Sequence, residues 1–443
     1  MRILMDVENK GAYANLALGA ELHKAGPGKL DRAFVTELVY GTLRARNTLD
    51  WALRRYLSRP LSDVPVAIRN ILRLGAYQAL FMDRVPDPAA VNESVKLARR
   101  YGHAGTVKFV NGVLRNLARG KAEIIYPDPV KDPAGYIALR HSHPEWIVRR
   151  WLACYGFAGT EALCRANNRP APNTVRVNTL KTKTQTLVET LAGLGVSAQK
   201  AKYAGDCLLL EGFVALDRLA PFREGLFQAQ DEGSILAGQA VDPAPGARVI
   251  DVAAAPGGKS THLAQIMRNR GEILALDVHR HKINLIRDNC RRLDVEIVNP
   301  VQLDARAIPD AYDIWADYVL VDAPCSGLGV LRRRPDARWR KEEGQISRLA
   351  QLQRQILDAA AKTVKPGGVL VYSTCTITVE ENLGQIQNFL AAHREFKAES
   401  LAGLLPGSLD WENSMGGGYL QTLPHVHENM DGFFIARMRK GEQ

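Results

Sequence analysis

The sequence predicts a multidomain fold: an all-α N-terminal bundle, a small α+β middle domain and a C-terminal α/β domain. Three observations carry this. Apolar residues in positions 1–120 recur at helical spacing. From about residue 235, short apolar runs alternate with helical segments, the pattern of a mostly parallel sheet covered by helices. The length of 443 residues suits two or three domains of roughly 150 residues each.

In the first segment, Leu30, Phe34 and Leu38 share one helical spacing. Ile68, Ile71, Leu72, Gly75, Ala76 and Ala79 share another, as do Val107, Val110, Leu114 and Leu117. Pro60, Pro65, Pro86 and Pro88 punctuate these helices. The stretch Tyr126-Pro-Asp-Pro-Val-Lys-Asp-Pro-Ala-Gly135 suits a linker. Residues 136–168 read as helices again. Asn173–Asn178 alternates like a strand, 186–194 is helical and 207–210 is a short strand. The expected domains are therefore 1–126, 136–234 and 235–441. In the last of them strands are predicted at 248–253, 272–277, 318–322 and 369–372. Helices are predicted at 260–269, 282–293 and 346–364. Residues 432–437 read as a late strand, antiparallel and at the sheet edge.

Hydrophobic residues make up 46% of the chain, enough to fill a sizeable core. No apolar run approaches the roughly 18 residues of a membrane span, and the first eight residues carry acids unlike a secretory signal. The cytoplasm is the expected location, without a membrane partner. The six cysteines show no C-x-x-C pair or zinc-like spacing, so no metal and no disulfide framework is expected. Cys154, Cys164 and Cys290 read as packing residues. The net charge is +11, and it is uneven. Residues 1–120 hold 19 basic and 10 acidic residues, while the remainder holds 39 and 37. A basic module beside a near-neutral one points to a polyanion partner.

Ligands of open α/β sheets bind beyond the carboxyl ends of the strands. Ala253, Ala254, Ala255, Pro256, Gly257, Gly258 and Lys259 occupy the exit of the first such strand. The glycines permit a sharp turn, and the following helix points free N–H groups at a ligand. Gly258-Lys-Ser260 imitates the end of a phosphate-cradling loop, but Ala253 stands where that motif needs glycine. The dinucleotide fingerprint is absent too. S-adenosylmethionine, which has no phosphates, suits the loop better. Asp277 ends the next strand, where an acid accepts hydrogen bonds from ribose hydroxyls. Asp304 follows a possible third strand, where it would face the adenine.

Two cysteines also sit at strand ends. Cys325 lies in Asp322-Ala-Pro-Cys-Ser-Gly-Leu-Gly329 and Cys375 in Tyr372-Ser-Thr-Cys-Thr376. With Asp251-Val-Ala-Ala-Ala-Pro-Gly-Gly-Lys259, these stretches resemble the three signature motifs of the Nol1/Nop2/Sun family of RNA 5-methylcytosine methyltransferases. Ala33-Phe-Val-Thr-Glu-Leu-Val-Tyr-Gly-Thr-Leu43 and Val91-Asn-Glu-Ser-Val95 resemble NusB, an RNA-binding helical bundle. Together the resemblances span nearly the whole chain. They imply a NusB-like N-terminal domain and a Rossmann-like methyltransferase domain using S-adenosylmethionine. Cys375 is then the nucleophile and Cys325 assists product release. The loop Ala253–Lys259, Asp277, Asp304 and Asp322 contact the cofactor or the reacting base. The family loop commonly begins with cysteine where this chain has Ala253. The implied substrate is small-subunit (16S) ribosomal RNA, naked or in early assembly, met by a monomeric enzyme.

The chemistry agrees. Cytosine C5 is too weak a nucleophile to take a methyl group unaided. A thiolate adding at C6 makes C5 reactive, and cysteine both attacks and leaves well. A base must then remove the C5 proton. Asp322 is placed to hydrogen-bond the N3/N4 edge of the base, and Lys259 to support that network. Arg332-Arg-Arg-Pro-Asp-Ala-Arg-Trp-Arg-Lys341 suits phosphate contacts and base stacking. Arg176, Asn178 and Gln228–Glu232 suit substrate or domain-interface roles. Two other readings are a non-catalytic RNA-binding factor and an exocyclic-amine methyltransferase. The first conflicts with the intact cysteines, lysine and acids; the second needs no cysteine nucleophile.

Overall fold

The computed structural model describes residues 1–409 and 417–442. They form two compact units, one of residues 1–170 with 331–341, the other of 171–330 with 342–443.

The first unit is helical: α1 (Arg2–Asn9), α2 (Ala14–Ala25), α3 (Lys29–Arg44), α4 (Arg46–Arg54), α5 (Val66–Phe81), α6 (Asp87–Tyr101), α7 (Ala104–Arg119), α8 (Pro133–Arg140) and α9 (Glu145–Asn167). Helix α5 is buried on nearly every side, so its apolar residues exceed one stripe. A Cβ on Gly75 would meet Leu114 and Ser94 within 3 Å, so glycine there lets α6 and α7 pack close. Arg73 on α5 is buried because two carboxylates meet it: Asp50, at 2.7 Å to both its Nε and Nη2, and Glu8. The predicted stripe on α3 is only partly used; Leu30 and Phe34 are exposed. Helices α8 and α9 pack with this unit rather than with the middle segment. The side-chain amide of Asn47 donates to the carbonyls of Ala138 and His143, and Thr48 donates to that of Leu139. These α4 side chains satisfy carbonyls that the end of α8 leaves open. Gly156, at φ 64°, breaks the helical path inside α9. Cys164 is buried as expected, but Cys154 faces solvent.

The second unit opens with β1 (Thr174–Val177), α10 (Thr184–Gly193), β2 (Ser197–Lys200), β3 (Cys207–Glu211), α11 (Ala220–Arg223) and β4 (Phe227–Ala229). Their four strands form an antiparallel sheet in the order β2-β3-β1-β4. Val175, Val177, Leu187, Leu191, Leu208 and Phe227 make its core. Then follow α12 (Glu232–Val241), β5 (Arg248–Val252), α13 (Gly258–Ile266), β6 (Glu272–Asp277), α14 (Arg280–Leu293), β7 (Val298–Gln302), α15 (Ile308–Tyr312), β8 (Ala316–Asp322), α16 (Gly344–Thr363), β9 (Val364–Thr374), α17 (Leu383–Ala392), β10 (Phe396–Ala398), β11 (Tyr419–Gln421) and β12 (Phe434–Lys440).

The large sheet runs β10-β12-β9-β8-β5-β6-β7, with β11 beside β12. Strands β9 to β7 along this order are parallel. Each strand alternates residues between two cores: Val249, Ile273, Leu320 and Val371 on one face, Ile250, Leu274, Val319 and Leu370 on the other. That double burial explains the continuous apolar runs. The late strand is antiparallel as expected, but it is not an edge: β10 and β11 pair with its outer side. The parallel strands all exit on one side, and the order reverses between β5 and β8. Such a switch point opens a crevice.

Candidate active site

The loop from β5 to α13 turns on unusual backbone. Ala253 adopts φ 59° and Gly257 φ 96°, both in the left-handed region. A non-glycine residue there is strained. The loop is held by main-chain bonds from the Ala254 amide to the Leu276 carbonyl and from the Gly257 amide to the Ala254 carbonyl, each 2.7 Å. Asn289 donates to the Pro256 carbonyl at 2.9 Å. Arg176, fully buried on β1, braces the helix start. Its guanidinium donates to the Gly258 carbonyl at 2.7 Å, to Thr261 at 3.1 Å, to Gln265 at 3.2 Å, and to Gln230. Asn178 donates to the carbonyls of Gly225 and Leu293. Both residues thus act at an interface between the two sheets of this unit. The Gln228–Glu232 stretch does the same: Gln228 accepts from Arg292, Asp231 caps α12, and Glu232 accepts from the amides of Tyr203 and Ala204.

Asp277 closes β6 and is buried. One oxygen accepts from the His279 amide at 2.9 Å and the other faces Lys282 at 3.4 Å. A carboxylate has about four acceptor sites, so each oxygen keeps acceptor capacity beyond these contacts. Asp304 caps a short turn, and Arg306 binds both its oxygens. Those hydrogen bonds hold it down at about 2. Asp251, on β5, is wholly buried beneath the loop with Ser260 donating to it at 2.5 Å. Burial pushes its pKa up to about 7. The donor set therefore fits S-adenosylmethionine: a close-approach backbone, an N-terminal helix turn and an acid, with no cationic phosphate cradle. No group of three or more His, Cys, Asp or Glu among the described residues is arranged to hold a metal.

The two cysteines meet. Cys325 Sγ and Cys375 Sγ are 3.4 Å apart and both half-buried. The Cys325 thiol is pushed well up, first by its hydrogen bond to Cys375, then by burial and by the charges of Cys375, Glu381 and Asp322. Beside them Lys259 Nζ pairs with Asp322 at 2.8 Å, and Ser373 donates to the other Asp322 oxygen at 3.0 Å. Burial works to lower the Lys259 pKa, but the Asp322 carboxylate, with Asp251 and Cys375, outweighs it and raises it. Lys259 therefore stays an ammonium ion within electrostatic reach of Cys375. It also lies over the Phe433 ring at 5.2 Å.

Cys375 with Cys325 and Lys259 with Asp322 thus form two bonded pairs within electrostatic reach of each other, while Asp277 and Asp304 keep bonds of their own. Sequence reasoning missed Glu381, Ser326, Thr376 and Gln353, which bond one another beneath the cysteines. The one available signal was an acid pair, Glu380-Glu381, soon after Cys375.

Part of the basic run is spent inside the fold. Arg338 is wholly buried and donates to the Ser142 and Asn167 carbonyls and to Asn168, all within the first unit. Trp339 donates to the Leu43 carbonyl at 2.6 Å, and Arg340 to those of Gly11 and Ala12. These groups bind main-chain carbonyls, so they are not free for phosphate or for stacking as a set. The spacing of charges in sequence carries no information about which acceptors fold around them.

Comparison with known proteins places these features in context. Residues 238–439 match the family model described as 16S rRNA methyltransferase RsmB/F. Residues 1–119 match the NusB family, and 143–217 a ferredoxin-like domain of RsmF/B-like methyltransferases. The chain is 39% identical to the probable ribosomal RNA small subunit methyltransferase B of Bacillus subtilis (strain 168), covering 99% of this chain and 97% of that one. It is 35% identical to ribosomal RNA small subunit methyltransferase B of Sodalis glossinidius, covering 93% and 90%. Among solved structures, PH0851 superimposes with a TM-score of 0.83 at 30% identity, over 96% of this chain and 94% of that one. NSun6 from Pyrococcus horikoshii, solved with the S-adenosylmethionine analogue SFG, gives 0.61 at 26% identity, over 68% and 99%.

Proposed function

This chain belongs to the RsmB/F family of 16S rRNA methyltransferases, an S-adenosylmethionine-dependent enzyme class acting on small-subunit ribosomal RNA, and on that premise we propose that it methylates C5 of one cytosine through a covalent Cys375–C6 adduct. The observation that carries this is the 3.4 Å sulfur pair beside the Lys259–Asp322 ion pair. The target base leaves its stack to enter the crevice. Cys375, as thiolate, adds to C6 while the Lys259 ammonium balances its charge. Asp322 accepts from the exocyclic amine and orients the ring. The cofactor, when bound by Ala253–Lys259, Asp277 and Asp304, supplies an electrophilic methyl group, and C5 receives it.

Cys325 then takes the C5 proton, and the electrons of that bond expel Cys375 from C6. Adduct formation itself prepares this step. Once Cys375 is a thioether, its hydrogen bond and charge no longer hold the Cys325 thiol up, so Cys325 ionises more readily. The substrate we infer is naked or early-assembling 16S RNA, met by a monomer in the cytoplasm. No helix among the described residues is long and apolar enough to cross a membrane.

The test is adduct trapping. Cys325→Ala, incubated with unmethylated small-subunit RNA and S-adenosylmethionine, accumulates a protein–RNA adduct stable on denaturing gels. Cys375→Ala forms none and is inactive. Full activity in Cys375→Ala, with no adduct in Cys325→Ala, removes the reading. Bisulfite sequencing of the product RNA locates the cytosine.

A further inference from the structure

We propose that Glu381 is a positioning residue for the two-cysteine chemistry, its carboxylate tying the loop that carries Cys325 to the loop that carries Cys375. The inference rests on the covalent reading above. Glu381 is wholly buried. One of its oxygens accepts from the Ser326 amide at 2.7 Å and from Gln353 at 3.0 Å. The other accepts from the Ser326 hydroxyl at 2.5 Å and the Thr378 hydroxyl at 2.7 Å. Ser326 directly follows Cys325 and Thr376 directly follows Cys375; their hydroxyls lie 2.7 Å apart. Gln353 also holds the Pro324 carbonyl at 2.9 Å. The Glu381 main chain is fixed as well, since Tyr372 donates to its carbonyl at 2.7 Å.

The sheet cannot do this job. Its β8–β9 register ends at Asp322 and Ser373, and both sulfurs lie beyond that point. A main-chain bond from the Gly329 amide to the Cys375 carbonyl at 3.1 Å joins the two loops further on, and the bridge one residue past each cysteine fixes the side facing Glu381. A carboxylate suits the place because it accepts several donors on two oxygens and offers none of its own. Adduct formation and release need the sulfurs in register with one ring, and about 1 Å of misplacement can cost roughly a hundred-fold in rate.

The experiment uses the full-length protein with a small-subunit RNA transcript and S-adenosylmethionine. Glu381→Gln keeps the reach and loses the charge; Glu381→Asp keeps the charge and loses reach. The groups facing Cys325 are Cys375, Glu381, Asp322 and Tyr372, with Lys259 paired to Asp322. Removing the Glu381 charge therefore eases ionisation of Cys325, the base of the release step, and the limb on which adduct release rises with pH moves to lower pH in Glu381→Gln only. Both variants bind S-adenosylmethionine within about two-fold of the parent, while kcat falls about a hundred-fold in Glu381→Asp and less in Glu381→Gln. Parent-like kcat in both variants overturns the proposal. So does an unmoved pH limb in Glu381→Gln, or loss of cofactor binding in step with activity, which marks a merely structural role. If Glu381→Gln does not fold, Ser326→Ala removes the hydroxyl contacts to Glu381 and Thr376 while the main-chain amide bond stays, and parent-like adduct release there overturns the proposal equally. Cys325→Ala run in parallel separates the premises: no adduct in it sinks the covalent reading, whereas an adduct there with parent-like Glu381 variants sinks only this one.

Discussion

Asp251 shows how burial turns a motif residue into a pH-sensitive element of stability. Its pKa rises from the ordinary 3.8 to about 7 because the folded chain removes it from water. The native state therefore holds a proton that the unfolded chain releases. Stability from this group is fully present below pH 3.8 and is lost as pH rises through about 7. Asp251→Asn, which keeps a partner for Ser260, should flatten the fall in melting temperature across that window; an unchanged slope in thermal melts would refute the assignment. The cysteines, Lys259 and Asp322 were legible at this scale, since each sits in a short motif at a strand end. Glu381 was not, because its importance lies in donors from Ser326, Gln353 and Thr378 that sequence distance hides.

At the scale of elements, the brace from β1 holds the β5–α13 loop that we propose takes the cofactor. Gly257 at φ 96° sits where a side chain costs about 1–2 kcal/mol, and a Cβ there would meet Ile286 at 3.2 Å. Gly257→Ala should weaken S-adenosylmethionine binding by about ten-fold, read by calorimetry. Arg176→Ala takes the donor from the buried side-chain oxygens of Gln230 and Gln265, each costing about 1–3 kcal/mol; the urea midpoint should fall. The strands β5, β6, β8 and β9 were readable because both their faces are buried. The place of β12 was not, since strand order follows packing rather than chain order. Helical periodicity likewise found α8 and α9 but said nothing of their partner.

At the scale of the molecule, the chain leaves the second unit after Val330, contributes residues 331–341 to the first, and rejoins the second at Glu342. Arg338 and Trp339 fix that segment to main-chain carbonyls of the first unit. Arg338→Met should lower thermal stability while leaving the salt dependence of RNA affinity unchanged, whereas loss of a phosphate contact would reduce that slope by about one. Measuring binding across a salt series separates the two.

The sequence by itself determined the segment types, the parallel core and the two cysteine motifs at strand ends, because periodic burial and short motifs are local properties written in consecutive residues. Only the tertiary structure decided which units the helices join, where the basic run is spent and what holds the two sulfurs together. Those depend on which donors and acceptors meet across long chain separations, and that pairing exists only once the chain is packed.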